Sequence, residues 1–438
     1  MAHGNKLDLD SVQAPGAKWG GLSIGLLVVG VAASIGGIAM GDKAQGLHSY
    51  LTSYMYFLSI ALGGLFFVML QHLTRAGWSV VIRRLAEGFM KNLILMLFLF
   101  APIFLNINTI FAWADTNNPA PAKTSGDLAH AGGNYELKTG RIKGVEDEKL
   151  KYHLVDVLGK KQSYLSEGFF KIRIGVYFLI WIGLALFMFK NSVAQDSHGE
   201  AATTIKMGKF SAGAMPFFAL SLTFMAFDCM MSLDYAWFST IFGVIYFASG
   251  FVGLMASLIL ASFILQKKGY MKNVTIEHYH DMGKFMFAFI IFWAYVSFSQ
   301  FILIRYPNIP EETIWYLHRW EQEGGVTGWK NWSIAIPVIH FILPFILLMS
   351  RHVKRNKVTC TIMACWMLVA SYIHFYWVIM PTLKFPFMNT PSFSFQDIVI
   401  VVGMGLAFVG GFLFNLKNVN LIPVKDPRLE ESLNFTNY

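Results

Sequence analysis

The sequence has 438 residues, of which 55% are hydrophobic, 16% aromatic and only 14% charged. A soluble domain carries about 25% charged residues, and a chain this apolar could not keep a water-exposed surface polar, which excludes a soluble globular protein. The formal charge of +9 does not point to nucleic acid, because the basic residues sit in short clusters between apolar runs, the distribution that orients membrane helices.

Met1 to Lys18 is polar and reads as an N-terminal tail (1–18) rather than a signal peptide, since no short apolar stretch precedes the first long one. A spanning helix needs roughly 20 mostly apolar residues. In chain order the predicted segments are Trp19–Met40, Leu51–Leu73 and Phe89–Ala112 (together 19–112), then Phe169–Phe189, Ser211–Met231, Phe242–Leu265, Phe285–Ile304, Trp332–Ser350, Val358–Met380 and Phe395–Leu416 (together 169–416). A loop at 113–168 and a tail at 417–438 complete the chain. The runs are continuous rather than alternating, which excludes a membrane β-barrel. The predicted fold class is all-α: a polytopic membrane protein of about ten transmembrane helices.

Lysine and arginine in the short loops set the orientation. Arg75, Arg83 and Arg84 follow the second segment, Lys190, Lys206 and Lys209 the fourth, Lys267, Lys268 and Lys272 the sixth, and Arg351, Lys354, Arg355 and Lys357 the eighth. The opposite short loops hold little beyond Lys43 and Lys384. Both termini are therefore expected in the cytoplasm. The loop at 113–168 is then exterior; it carries Pro119–Pro121, Gly132, Gly133 and a mixed-charge stretch from Arg141 to Lys161, and is expected to be a docking surface. Segments two to five and six to nine each start and end outside, so two four-helix bundles of like orientation are expected, flanked by one helix on each side.

An ionisable group inside a span costs roughly 2.5–3.5 kcal/mol on insertion scales and is a functional candidate. Asp228, near the outer end of the fifth segment, has two readings: a proton-exchanging carboxyl or half of an interhelical ion pair. Asp234 lies just beyond and has two readings, a turn or cap residue and a proton-transfer or quinol-facing group. His340 and His374 sit at similar depths in the eighth and ninth segments and could face each other. A haem b ligand pair, a hydrogen-bonded structural pair and a proton-carrying pair are all open. Pro344 frees the carbonyl of His340, so a broken helix is expected beside it. Glu87 forms i,i+4 pairs with Arg83 and Lys91 and could begin a proton path; His72 is similar. Lys171, Arg173 and Arg305 are expected to snorkel to the interface, and Ser297, Ser299 and Gln300 to bond between helices. Cys229, Cys360 and Cys365 form no CxxC, so neither a zinc ribbon nor an attached c-type haem is encoded. No phosphate loop, HExxH or GxSxG is present, which argues against a self-contained NTPase or hydrolase and leaves no metal site.

Three stretches carry a resemblance. Phe227–Asp228–Cys229–Met230–Met231–Ser232–Leu233–Asp234–Tyr235–Ala236–Trp237–Phe238–Ser239–Thr240–Ile241–Phe242–Gly243–Val244 resembles the NrfD-like (polysulfide-reductase-like) membrane subunits of alternative complex III. So do Phe292–Trp293–Ala294–Tyr295–Val296–Ser297–Phe298–Ser299–Gln300–Phe301 with Asn308–Ile309–Pro310–Glu311–Glu312–Thr313, and the Ser-Tyr start of the second segment through Arg75–Ala76–Gly77–Trp78. The likeness runs from about residue 47 to 416 and is nearest to ActF-type subunits. It implies a bacterial inner-membrane quinol:cytochrome c oxidoreductase supporting quinol oxidation, electron transfer and proton translocation. The implied partners are the sister subunit ActC, iron–sulfur and multihaem cytochrome c subunits, and in some assemblies a terminal oxidase. The iron–sulfur clusters and haem c belong to those partners; no cofactor is expected on this chain, and it is not expected to be catalytic alone. Where the family has Pro-His after the second Asp, this sequence has Tyr235–Ala236, which weakens a quinol site here. A proton-coupled secondary transporter using Asp228 and a haem b cytochrome are the alternative readings.

Overall fold

Lipid offers no water to a free backbone group, so an apolar run that crosses it closes its own hydrogen bonds as a helix. The computed structural model describes residues 7–114, 157–322, 325–383, 391 and 393–437. Ten of its helices are long and apolar enough to span a membrane. They are span 1 Gly16–Ile38, span 2 Lys43–Leu73, span 3 Val80–Leu105, span 4 Glu167–His198, span 5 Ala201–Leu233, span 6 Phe242–Lys267, span 7 Ile276–Arg305, span 8 Lys330–Met349, span 9 Lys357–Leu383 and span 10 Phe395–Leu416. The protein is an all-α multi-pass membrane protein. The strand pairing among the described residues is a two-residue antiparallel ladder, Glu321–Gln322 with Gly325–Val326. Most of the loop at 113–168, with Pro119–Pro121 and Arg141, lies outside the described residues, as does Lys384.

Several helices outrun their apolar segments. Span 3 begins at Val80 rather than Phe89, because Arg83, Arg84 and Glu87 are buried and paired within the protein. Span 4 continues to His198 and stops at Gly199, whose φ of 72° places it in the left-handed region, the usual glycine C-terminal cap.

Spans 2–5 pack as one four-helix bundle and spans 6–9 as a second; the two meet along spans 2 and 6, the most buried of the ten. Helices already in an apolar solvent gain little from apolar contact, so they associate where small residues let backbones approach. Gly250 of span 6 is such a point: a Cβ there would lie 2.8 Å from the Cβ and carbonyl oxygen of Ser59 on span 2. Spans 1 and 10 do not stand on opposite sides of the bundles. They lie against each other on the side of spans 2 and 3, which corrects the expectation of one flanking helix each side. The reason is a matched pair of small-residue stripes. A Cβ at Gly30 would come within 2.3 Å of the Ala407 nitrogen, and one at Gly403 within 2.6 Å of the Ser34 nitrogen. Gly30→Leu is therefore expected to prise span 1 from span 10, at a cost of about 1–3 kcal/mol for overpacking. Faster maleimide labelling of a cysteine placed at Ser34 would report it; unchanged labelling would contradict the packing.

One end of the molecule gathers both chain ends. Leu421 N donates to Val12 O at 2.8 Å and Met271 N to Ser11 O at 2.8 Å. The tail crosses the seam between the bundles: Asp426 meets Arg83 of span 3, Ser432 Oγ donates to Trp78 O at 2.6 Å, and His278 Nε2 of span 7 lies 3.1 Å from Ser432 O.

Candidate functional site

Among the described residues three centres hold the sequence-predicted polar side chains, one at the end bearing the termini and two towards the other side. At the termini end, Glu87 is fully buried and touches two guanidinium groups, Arg83 Nε at 3.5 Å and Arg84 Nε at 3.1 Å. Ser192 Oγ donates to its Oε1 at 2.7 Å. The Arg84 contact is close but is not aligned as a hydrogen bond. Arg83 also reaches Asp426 at 2.5 Å, and Arg84 reaches Asp196 at 3.0 Å. Three carboxylates thus surround two arginines, tying spans 3 and 4 to the tail. Lys91 does not join them; its ammonium lies 4.3 Å from the Phe189 ring centre. His72 is 4% exposed beside Arg83 and Asp426, and neither ring nitrogen has a hydrogen-bond partner.

In the first bundle, Arg173 of span 4 grips Asp228 of span 5 with two hydrogen bonds, Nε to Oδ2 at 2.9 Å and Nη2 to Oδ1 at 2.8 Å. Tyr177 Oη donates to Oδ2 at 2.9 Å. The remaining guanidinium nitrogen donates to Tyr164 O at 2.8 Å, and the Tyr164 ring covers it at 3.8 Å. Arg173 therefore does not snorkel: a fixed carboxylate partner outweighs the path to the interface. Lys171 stays at the surface with Glu167, and Arg305 is exposed. Both Asp228 oxygens are engaged, so of its two readings the geometry is that of the ion pair.

The segment joining the bundles starts at this pair. Ser232 Oγ donates to Asp228 O at 2.5 Å and receives Trp113 Nε1 at 3.1 Å. Trp237 N donates to Asp234 O at 3.2 Å and closes the turn, with the Asp234 carboxyl beside the N–H groups of Ala236 and Trp237. Trp237 stacks on Trp315 at 4.8 Å, and Ser239 Oγ donates to Gln300 Oε1 at 2.8 Å. Gln300 donates onward to Tyr316 Oη at 2.9 Å, so it binds the connecting segments rather than a neighbouring span. Arg319, 1% exposed, donates to the carbonyls of Trp315, Trp377 and Val378 and lies 3.6 Å from the Trp315 ring centre. It caps the end of span 9.

Burial pushes the Asp234 carboxyl up to about 6, opposed first by the charge of Arg319, then by the two backbone donors and Lys161. Burial likewise pulls Arg319 down to about 9, opposed by Asp234. A carboxyl whose folded value lies above its unfolded one contributes stability that is complete below about pH 4 and is lost as pH rises through about 6,. The difference corresponds to roughly 3 kcal/mol at most. Amide exchange of residues 234–241 is therefore expected to be slower, relative to intrinsic rates, at pH 4 than at pH 7. Asp234→Asn is expected to remove that pH dependence; an unchanged profile in the variant would assign it elsewhere.

The second bundle holds the histidines. His340 and His374 face each other with ring centres 5.8 Å apart, and Trp293 of span 7 lies against both, at 3.9 Å and 5.1 Å. Span 8 departs from α-geometry here: Pro337–Ile342 forms a π-helical turn carrying His340. Such turns recur at functional sites. Pro337 lacks a donor, and Trp366 Nε1 satisfies Ile339 O at 2.8 Å. Ser371 Oγ lies 3.4 Å from His340 Nε2, and Ser249 Oγ lies 3.3 Å from His374 Nδ1. A haem held by both imidazoles does not fit, because the Trp293 indole packs on the two rings that would have to flank the macrocycle.

Residue-by-residue reading of the sequence missed Asp196, Asp426, Arg319 and Trp293. Only Trp293 carried a local signal, since a tryptophan in the middle of a span, away from the interfaces, is out of its usual place. The fold and these centres define a class: a two-bundle, ten-span membrane protein with buried polar centres. No protein-family model matches the chain, and no curated protein matches it either. Among the described residues no group of three or more His, Cys, Asp and Glu side chains is placed to hold a metal ion.

Proposed function

We propose that this protein is an NrfD-like membrane subunit, of the ActF type, in a quinol:cytochrome c oxidoreductase of the alternative complex III kind. It sits in the bacterial cytoplasmic membrane with both termini inside, and supports quinol oxidation, electron transfer and proton translocation without a redox group of its own. One observation carries the reading: each stretch that bears the resemblance places residues at joints of the two-bundle architecture. Asp228 to Gly243 links the bundles, Trp293 lies against the second bundle's histidines, Gln300 bonds to the connecting segments at Ser239 and Tyr316, and Trp78 stacks on Phe285 beneath the C-terminal tail. The two bundles also carry their buried polar centres on corresponding helices, spans 4 and 5 in one, 8 and 9 in the other. ActC, an iron–sulfur subunit and a multihaem cytochrome c are the partners of this reading, with a terminal oxidase beyond them. The secondary-transporter alternative is less well supported, because Asp228 is held at both oxygens.

Affinity purification of the chain from its native membrane in mild detergent is the test. Co-elution with c-type haem absorbance and an iron–sulfur EPR signal is the expected result. A chain that elutes alone, with neither signal, overturns the reading.

A further inference from the structure

Three buried polar atoms of the second bundle have no hydrogen-bond partner: Trp293 Nε1, His340 Nδ1 and Ser297 Oγ. They belong to one locality. The Trp293 and His340 rings are 3.9 Å apart, and Ser297 lies one helical turn along span 7 from Trp293, on the same face. Trp293 is 4% exposed and His340 0%. The neighbouring imidazole does not serve them: neither His374 nitrogen is in hydrogen-bond geometry with any of the three, and its Nδ1 lies 3.3 Å from Ser249 Oγ. Ile245, Ala248, Val296 and Ile336 close the surroundings with apolar side chains.

The donor and acceptor roles follow from chemistry. An indole N–H only donates. If His340 donates through Nε2 to Ser371 Oγ, its Nδ1 is an acceptor. A hydroxyl accepts as well as donates. The three atoms together therefore call for one guest that accepts once and donates twice. Water does this, and a buried water typically makes about three such bonds to otherwise unsatisfied groups. A quinone carbonyl only accepts, and a headgroup ring exceeds the space between an indole and two imidazoles with centres 3.9, 5.1 and 5.8 Å apart. The π-helical turn at Pro337–Ile342 widens the helix where His340 stands.

We propose that Trp293, His340 and Ser297 form a water-binding site inside the second bundle, in which the water accepts from the indole N–H and donates to His340 Nδ1 and Ser297 Oγ. The site makes His340 the group of that bundle able to exchange a proton with a bound water. Asp228, gripped by Arg173 and Tyr177, has no such neighbour among the contacts of its two oxygens. The inference goes beyond the proposed function and does not depend on it.

An experimental structure of the protein in lipid nanodiscs, at a resolution that shows ordered solvent, tests it directly. A peak within hydrogen-bond distance of Trp293 Nε1 and His340 Nδ1 is expected. A dry centre, a direct Trp293–His340 hydrogen bond, or headgroup-shaped density would each overturn the proposal. A second measurement uses ultraviolet resonance Raman difference spectra, wild type minus Trp293→Phe. The band of the lost indole is expected at the position of a hydrogen-bonded N–H; the position of a free N–H counts against the site. Should the variant fail to fold, the density of the wild-type protein still decides.

Discussion

Arg173→Leu is expected to destabilise the protein by about 3–5 kcal/mol, the usual cost of removing one partner of a buried ion pair. The cost comes from what stays behind. Asp228 is 0% exposed and would keep only Tyr177 as a donor from a side chain. The reverse change, Asp228→Leu, strands a guanidinium that still has the Tyr164 carbonyl and the Tyr164 and Phe169 rings, so its loss is expected to be smaller. Replacing both by leucine is expected to recover most of the stability, because a well-packed apolar pair avoids desolvating two charges. Thermal unfolding of the purified protein in detergent reads all three variants, and a double variant no better than Arg173→Leu contradicts the account. Under the proposed function, Asp228→Asn in the assembled complex separates structure from proton traffic. The geometry predicts lower stability with unchanged proton-to-electron stoichiometry; a changed stoichiometry would show that Asp228 exchanges protons after all.

The second large effect is expected at the end bearing the termini. Arg84 is 0% exposed and serves Glu87, Asp196 and the Ser192 carbonyl. Arg84→Leu leaves three carboxylates with one arginine, Asp196 without any, and a loss again in the range of about 3–5 kcal/mol is expected,. Asp196 also receives the Val424 N–H at 3.1 Å, so the tail should loosen with it, which limited proteolysis of residues 417–437 would detect. Glu87→Gln should behave differently. The three carboxylates and two arginines carry an excess of one negative charge, 3 − 2 = 1. Neutralising Glu87 removes that excess while Arg83 keeps Asp426 and Arg84 keeps Asp196, so a change within about 1 kcal/mol is expected, the scale of one rearranged hydrogen bond. Equal losses in Arg84→Leu and Glu87→Gln would mean that the pairings, and not the charge balance, control this centre.

The amino-acid sequence by itself determined the ten spans and their all-α character. The reason is local: each apolar run satisfies its own backbone, and its length is measured against the same bilayer whatever packs beside it. Span 10, Phe395–Leu416, follows its apolar run from end to end. The break in span 8 was legible too, because Pro337 and Pro344 act on their own helix. Tertiary structure alone decided which polar groups meet. Arg173 looks like an interfacial residue until span 5 brings Asp228 to it, 55 positions away. Asp426 looks like a tail residue until it is found against Arg83, 343 positions away. Spans 1 and 10 could each have stood alone at the edge of a bundle; their glycines, which fit only each other's backbones, put them side by side. Hydropathy sorts residues into lipid or water, but the partner of a buried charge is a pairing between distant segments, and packing is what selects it.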